Sequence, residues 1–148
     1  MPGSDQTALA TLSYRHEAMS AHFPADTVVP SFLQKSPAFL RSRPRYLLPL
    51  LPIAAESFDL REYNVVISSS SAFAKGVVTR ARTTHIAYCH SPMRYAWDWF
   101  HEYHRHILSK KSLNIFSRFL LHYIRIWDRA AADRVHHFIA NSKTVAER

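Results

Sequence analysis

Apolar and polar positions along this chain change period several times, and the changes predict strands alternating with helices. Residues 63–68 are a run of β-branched and apolar side chains bounded by polar ones, the pattern of a buried parallel strand. Four serines follow, Ser68 to Ser71, and then residues 72–78 read as a short helix. Residues 85–89 are a second strand of the same kind, and 136–140 a third. Between them, 95–108 read as a helix that mixes aromatics with His101, Glu102, His104, Arg105 and His106. A longer helix is predicted over 113–132. There Leu113, Phe116, Leu120, Ile124, Trp127 and Ala131 recur at helical spacing on one face, while Arg118, His122, Arg125 and Arg129 fall on another. The apolar stripe is expected in the core. The basic stripe reads as a solvated face, or as one suited to an anionic membrane surface. Such alternation argues for an α/β fold, a parallel sheet flanked by helices.

Upstream the pattern is less regular. Residues 1–22 read as a weakly structured start, although 7–14 alternate loosely, as an edge strand would. Six of the eight prolines (Pro24, Pro30, Pro37, Pro44, Pro49, Pro52) lie between 22 and 52, a density that excludes a long uninterrupted helix. Short helical turns and loops over the sheet are expected instead. Arg41, Arg43 and Arg45 in this stretch suit a solvated loop, or alternatively an acceptor phosphate.

Candidate chemistry gathers at the strand ends. In open α/β sheets ligands bind beyond the carboxyl ends of the strands. Three such ends are expected on one edge: Ser68 to Ser71, His90 to Arg94, and Asn141-Ser142. Each precedes a helix start, whose free N–H groups favour an anion. Ser69, Ser70, Asn141 and Ser142 also suit helix caps, a role compatible with ligand contact. After His90-Ser91, Pro92 forces a corner and suits the opening of the next helix. His90 taken alone reads more often as a hydrogen-bonded structural residue than as a catalyst. What favours a site is the density of hydrogen-bonding side chains within one turn of the corner.

The same segment carries a resemblance. His90-Ser91-Pro92-Met93-Arg94-Tyr95-Ala96-Trp97-Asp98 resembles the "CHTPMRYAWD" block of family 4 glycosyltransferases, in the branch that includes mannosyltransferases of bacterial surface-polysaccharide assembly. Ser57-Phe58-Asp59-Leu60-Arg61-Glu62-Tyr63-Asn64-Val65-Val66-Ile67-Ser68-Ser69-Ser70 resembles that branch's "ESFDLRGYDLVISSS". Ala74-Lys75-Gly76-Val77 and Phe138-Ile139-Ala140-Asn141-Ser142 resemble its "AKGV" and "FIANS", in the same order. The blocks together cover roughly residues 23–148. Ser91 stands where the branch more often has threonine, which keeps the hydroxyl.

The resemblance implies an incomplete Rossmann-like parallel sheet, the N-terminal, acceptor-binding half of a GT-B fold. It implies that His90 contacts the transferred sugar or reacting centre and that Arg94 clamps a phosphate. Tyr95 and Trp97 would stack on a sugar ring or prenyl chain, with core packing an equal expectation for Trp97. Asp98 would accept sugar hydroxyls, or else balance a helix N-terminus. The function implied is retaining transfer of a sugar, mannose being the one the branch suggests, from a nucleotide-sugar to a glycan or lipid-linked acceptor. The family's opening strand with its glycine-rich turn, and its nucleotide-sugar-binding half with paired glutamates, have no counterpart in these residues. The expectation is therefore a partial acceptor domain over 23–148, catalytically silent alone because retaining transfer needs donor and acceptor in one closed cleft.

Composition narrows the alternatives. A single cysteine, Cys89, excludes an internal disulfide, and its expected role is a small apolar strand residue. His101-Glu102-Tyr103-His104 imitates a zinc-protease motif, but Arg105 replaces the second histidine, so no metal is expected. With only Gly3 and Gly76 there is no glycine-rich phosphate loop, and no bound cofactor is expected. Neither a secretory leader nor an 18-residue apolar span is present in these 148 residues, so a cytoplasmic location is expected, with peripheral contact at the inner membrane face as an option. Nineteen Lys and Arg against eleven Asp and Glu give a net charge of +8. That attracts polyanions and supports a second reading, a basic nucleic-acid-binding module without catalysis. The basic residues are dispersed and form no nucleic-acid motif, so this reading ranks well below the first.

Overall fold

Six consecutive residues, Val65–Ser70, extend as a strand because β-branched side chains at 65–67 pack well on a pleated surface. In the computed structural model, which describes residues 7–14, 24–41, 46–98 and 111–147, the chain divides into two compact units, Met1–Phe58 and Asp59–Arg148. It is mixed α/β, with parallel strands in two small sheets.

The first unit pairs β1 (Leu9–Thr11) with β2 (Val28–Pro30) in parallel. The expected edge strand at 7–14 is thus present, three residues long. Ser31 closes the pair: its Oγ donates to Leu12 O at 2.5 Å and accepts from Leu33 N at 3.2 Å, capping a 3-10 turn at Phe32–Lys35. Gln34 binds both backbone groups of Tyr14, Nε2 donating at 3.1 Å and Oε1 accepting at 3.0 Å. The proline-dense stretch forms the short pieces its prolines dictate: α1 (Ala38–Arg41), a 3-10 turn at Leu48–Leu50 and α2 (Leu51–Glu56). Leu33, Leu47 and Ala54 form the buried centre, packed by Leu12, Leu40 and Leu51. Arg41 is half-buried, whereas Arg43 and Arg45 lie outside the described residues.

The second unit opens on an Asp59–Arg61 turn, where Arg61 Nε donates to Asp59 Oδ1 at 2.7 Å. That side-chain bond, with the Arg61 backbone N–H, holds the exposed Asp59 carboxyl at a pKa of about 2. Its sheet has the order β3-β4-β5, all parallel: β3 (Val65–Ser70), β4 (Thr84–Cys89) and β5 (His137–Ala140). The three strands predicted for this unit are found with their ends within two residues of the expected ones. Register places Ile67 beside Ile86 and His137, and Ser69 beside Tyr88 and Ile139. Val65, Ile67 and Ile139 on that face are exposed, while Ser68, His85 and Ala87 on the opposite face are buried.

Two predicted helices differ from expectation. Residues 72–78 form only a 3-10 turn at Ala74–Gly76, because Ser70 Oγ accepts the N–H groups of both Ala72 and Ala74 at 3.2 Å and holds the chain in a bend. Of the helix predicted at 95–108, residues 95–98 are a turn anchored by Ala96 N–H donating to Met93 O at 3.1 Å. The remaining residues of that prediction lie outside the described set. The long helix α3 (Lys111–Ala132) is where the periodicity put it, and α4 (Lys143–Ala146) follows Ser142.

The core face of α3 is rotated from the predicted stripe. Ile124, Trp127 and Ala131 are buried as expected, but Leu121 joins them, Leu120 is half-buried and Phe116 is 64% exposed. Among the described side chains, burial on α3 begins only at Leu121. Its C-terminal half packs on the Ala74–Gly76 turn, where Phe73 lies 5.5 Å from Trp127. Glycine is needed at 76 for that approach: a Cβ there would stand 2.1 Å from Trp127 Cζ2 and 2.4 Å from Cη2. The indole is buried and backed by Phe73, so it cannot swing aside freely. Gly76→Ala is expected to destabilise this unit by about 1–3 kcal/mol through overpacking, read as a lower urea midpoint.

Inside the sheet sits a buried histidine. His85 Nε2 bonds Ser68 Oγ at 2.9 Å, its backbone N–H donates to His136 Nδ1 at 3.1 Å, and its carbonyl accepts from His136 N–H at 3.0 Å. Burial pushes its pKa below the ordinary 6.5, with the His136 and Arg134 charges adding to the shift. The folded state therefore holds His85 neutral. As pH falls below about 6.5 the unfolded chain takes up a proton that the folded chain refuses, so this contribution is present above that pH and lost below it. Urea midpoints measured at pH 7.5 and pH 5 should fall toward acid, and His85→Gln should flatten the difference.

Candidate functional site

Alternation along β3 sends its serines to opposite sides, since successive strand side chains face opposite ways. Ser68 points inward to His85, Ser70 caps the following bend, and Ser69 faces outward. Beyond the end of β4, His90 N–H donates to Ser70 O at 3.3 Å, so the ladder runs one residue past the strand. This extension brings His90 and Ser69 together: Nε2 and Oγ are 3.0 Å apart on the exposed face. The His90 ring also stands edge-on to Tyr88, with centroids 5.1 Å apart at 76°. Tyr88, Ser69 and His90 therefore share the outward side of the sheet's carboxyl edge.

A hydroxyl that donates to Nε2 leaves the other ring nitrogen carrying hydrogen. The pair then offers a positioned donor and acceptor to a substrate hydroxyl, the equipment of proton transfer or polar recognition. Pro92 follows at once and removes a backbone donor, while Ser91 Oγ turns back to Pro92 O at 3.0 Å.

On the other side of the same edge is a shallow recess lined by Ser70, Ser71, Lys75, Cys89, Ser91 and Phe138. Lys75 does not face it as a free cation. Its Nζ lies 2.8 Å from Asp128 Oδ1, and Asp128 Oδ2 accepts the Trp97 indole N–H at 3.0 Å. Both members of the ion pair are largely withdrawn from water, with side chains 18% and 9% exposed. Arg125 donates to Ala96 O at 3.1 Å and Arg134 to Gly76 O at 2.9 Å, so two basic side chains near α3 bind backbone.

The nine site residues expected from the sequence thus fall into groups. Ser69 and His90 are in contact, and Ser70 and Ser91 line the recess. Asn141 joins the edge through its backbone, its N–H donating to Cys89 O at 3.4 Å, and Ser142 Oγ caps α4 by accepting Val145 N–H at 3.3 Å. Arg94 and Asp98 are exposed and Tyr95 is half-buried in the turn after β4. Trp97 combines both expectations, half-exposed yet tied by its indole nitrogen to α3.

Sequence reasoning passed over Lys75 and Asp128. A signal was available for the second: Asp128 is the lone carboxylate in α3 and stands four residues after Ile124 and seven after Leu121, on the buried face. A lone acid on an apolar stripe needs a buried partner. Among the described residues no three His, Cys, Asp or Glu side chains cluster with metal-binding geometry. Comparisons with family models, with curated proteins and with solved structures found no match to this chain.

Proposed function

We propose that this chain is the acceptor-binding half of a retaining glycosyltransferase with a GT-B arrangement, its second unit an incomplete Rossmann-like sheet. In that reading a sugar, mannose by resemblance, passes from a nucleotide-sugar held mainly by a donor-binding domain to a glycan or lipid-linked acceptor, in surface-polysaccharide synthesis. The observation that carries it is the His90–Ser69 pair, 3.0 Å apart at the carboxyl edge of two parallel strands, within segments that resemble the family's motifs. Parallel sheets place ligands at this edge, and a histidine held there by a hydroxyl suits contact with a sugar hydroxyl. Tyr88 beside it adds an aromatic ring to the same side. No helix among the described residues is long and apolar enough to cross a membrane.

The test is an NMR titration of the chain that follows the His90 ring, with mannosides and lipid-linked glycans as ligands. Glycans are expected to move the His90 and Ser69 signals, whereas the nucleotide-sugar should act only once a donor-binding domain is supplied. Silence toward every glycan, with steeply salt-dependent binding to RNA or DNA, overturns this reading in favour of a basic nucleic-acid module.

A further inference from the structure

Among the described residues β5 pairs only with β4, and its His137, Phe138 and Ile139 are exposed. Its attachment begins at the residue before it. His136 N–H donates to His85 O at 3.0 Å, and His136 Nδ1 accepts His85 N–H at 3.1 Å. One residue thus satisfies both backbone groups of His85, with an imidazole standing where a backbone carbonyl would continue the ladder. The two histidines differ in their access to water. His136 is exposed, whereas His85 is fully buried, and its ring Nδ1 already lacks a hydrogen-bond partner among the described residues.

The bond to Nδ1 holds in one protonation state only. An imidazole nitrogen accepts a hydrogen bond while it carries no proton, and the imidazolium donates from both nitrogens. Protonated His136 therefore sets a donor against the His85 N–H donor. The ring must turn away, and it leaves a buried N–H that water cannot reach without the strand opening. The neighbouring groups do not oppose this. Arg134, two residues earlier, adds positive charge, and its guanidinium donates to Gly76 O. Burial keeps His85 neutral, and β3 offers it only the Ser68 hydroxyl. Asp133, beyond the end of α3, is paired with Arg129, and among the described residues no carboxylate is ion-paired with His136.

We propose that His136 is an acid-released latch on β5. Above the histidine range it locks β5 to β4; as pH falls through that range, protonation frees β5 and α4 while β3 and β4 stay paired along six residues. The far end of the attachment is long enough to follow, since Asn141 N–H reaches Cys89 O at 3.4 Å. Release carries Asn141 and Ser142 away from the carboxyl edge. The Ser69–His90 pair remains, because it belongs to β3 and the end of β4. This inference needs no ligand and stands apart from the transferase reading.

The experiment is amide hydrogen exchange on the full chain, followed by NMR at pH 7.5 and pH 5 and corrected for the intrinsic pH dependence of exchange. Protection of the His85 and β5 amides is expected to fall about tenfold at pH 5, while amides that join β3 to β4 keep theirs. His136→Asn should abolish the difference, because its Oδ1 accepts the same N–H at either pH. His136→Phe has no acceptor and should show the low protection at both. His85→Gln keeps the backbone N–H, so the local difference should survive it. Equal protection at both pH values, a difference that persists in His136→Asn or vanishes in His85→Gln, or a loss spread evenly over the β3–β4 amides overturns the proposal.

Discussion

His90→Ala, made in a transferase that joins this unit to a donor-binding domain, is expected to lower turnover by about a hundredfold or more while leaving the urea midpoint within about 0.5 kcal/mol. The two halves of that expectation come from different features. The imidazole is exposed and its side-chain bond is to the equally exposed Ser69, so little folding energy rests on it. Position, by contrast, is tightly set: the extra ladder bond from His90 N–H to Ser70 O and the Tyr88 edge both fix where the ring stands. Ser69→Ala should keep the ring but loosen its orientation, with a loss nearer tenfold, and the pair of substitutions should cost little more than His90→Ala alone. A variant that loses stability and turnover together would make His90 a structural residue and end its assignment to the site. Undiminished turnover would end it equally.

How far such assignments can be read from residues alone depends on the kind of signal. The three strands of the second unit were legible as short apolar runs bounded by polar residues, and α3 because its apolar period persists from Leu113 to Ala131. The helix expected after the serines was not, since propensity could not reveal that Ser70 would take two backbone N–H groups and hold a bend. Within α3, periodicity located the helix but not its buried arc. That arc is set by what packs against it, and Trp127 faces the turn at Gly76, so the stripe that looked like core at Phe116 ends outward. The three strand ends singled out by residue type lie along one edge of the parallel sheet. Which serine meets His90 was decided by strand alternation and register, and these two divide the expected site between opposite sides of one sheet.

Asp128→Ala should be the most damaging single change to the second unit, costing about 3 kcal/mol in urea unfolding. The carboxylate joins three segments far apart in sequence: Lys75 in the turn after β3, Trp97 after β4, and α3 itself. Its removal strands an ammonium with only 18% of its side chain exposed, and a charge left there without a partner costs far more than the pair contributes. Asp128→Asn separates the two roles, because an amide oxygen can still accept the Trp97 N–H at 3.0 Å but cannot neutralise Lys75. It should fall between alanine and the parent. Lys75→Met combined with Asp128→Leu removes both charges and fills the space, and should recover most of the loss, since Trp97 is half-exposed and can donate to water instead. If the double variant is no better than Asp128→Ala, the carboxylate's role is to anchor Trp97. If both single variants are neutral, the buried network contributes nothing to folding, and α3 is held by its other contacts, among them Trp127 on Gly76 and Arg125 on Ala96 O.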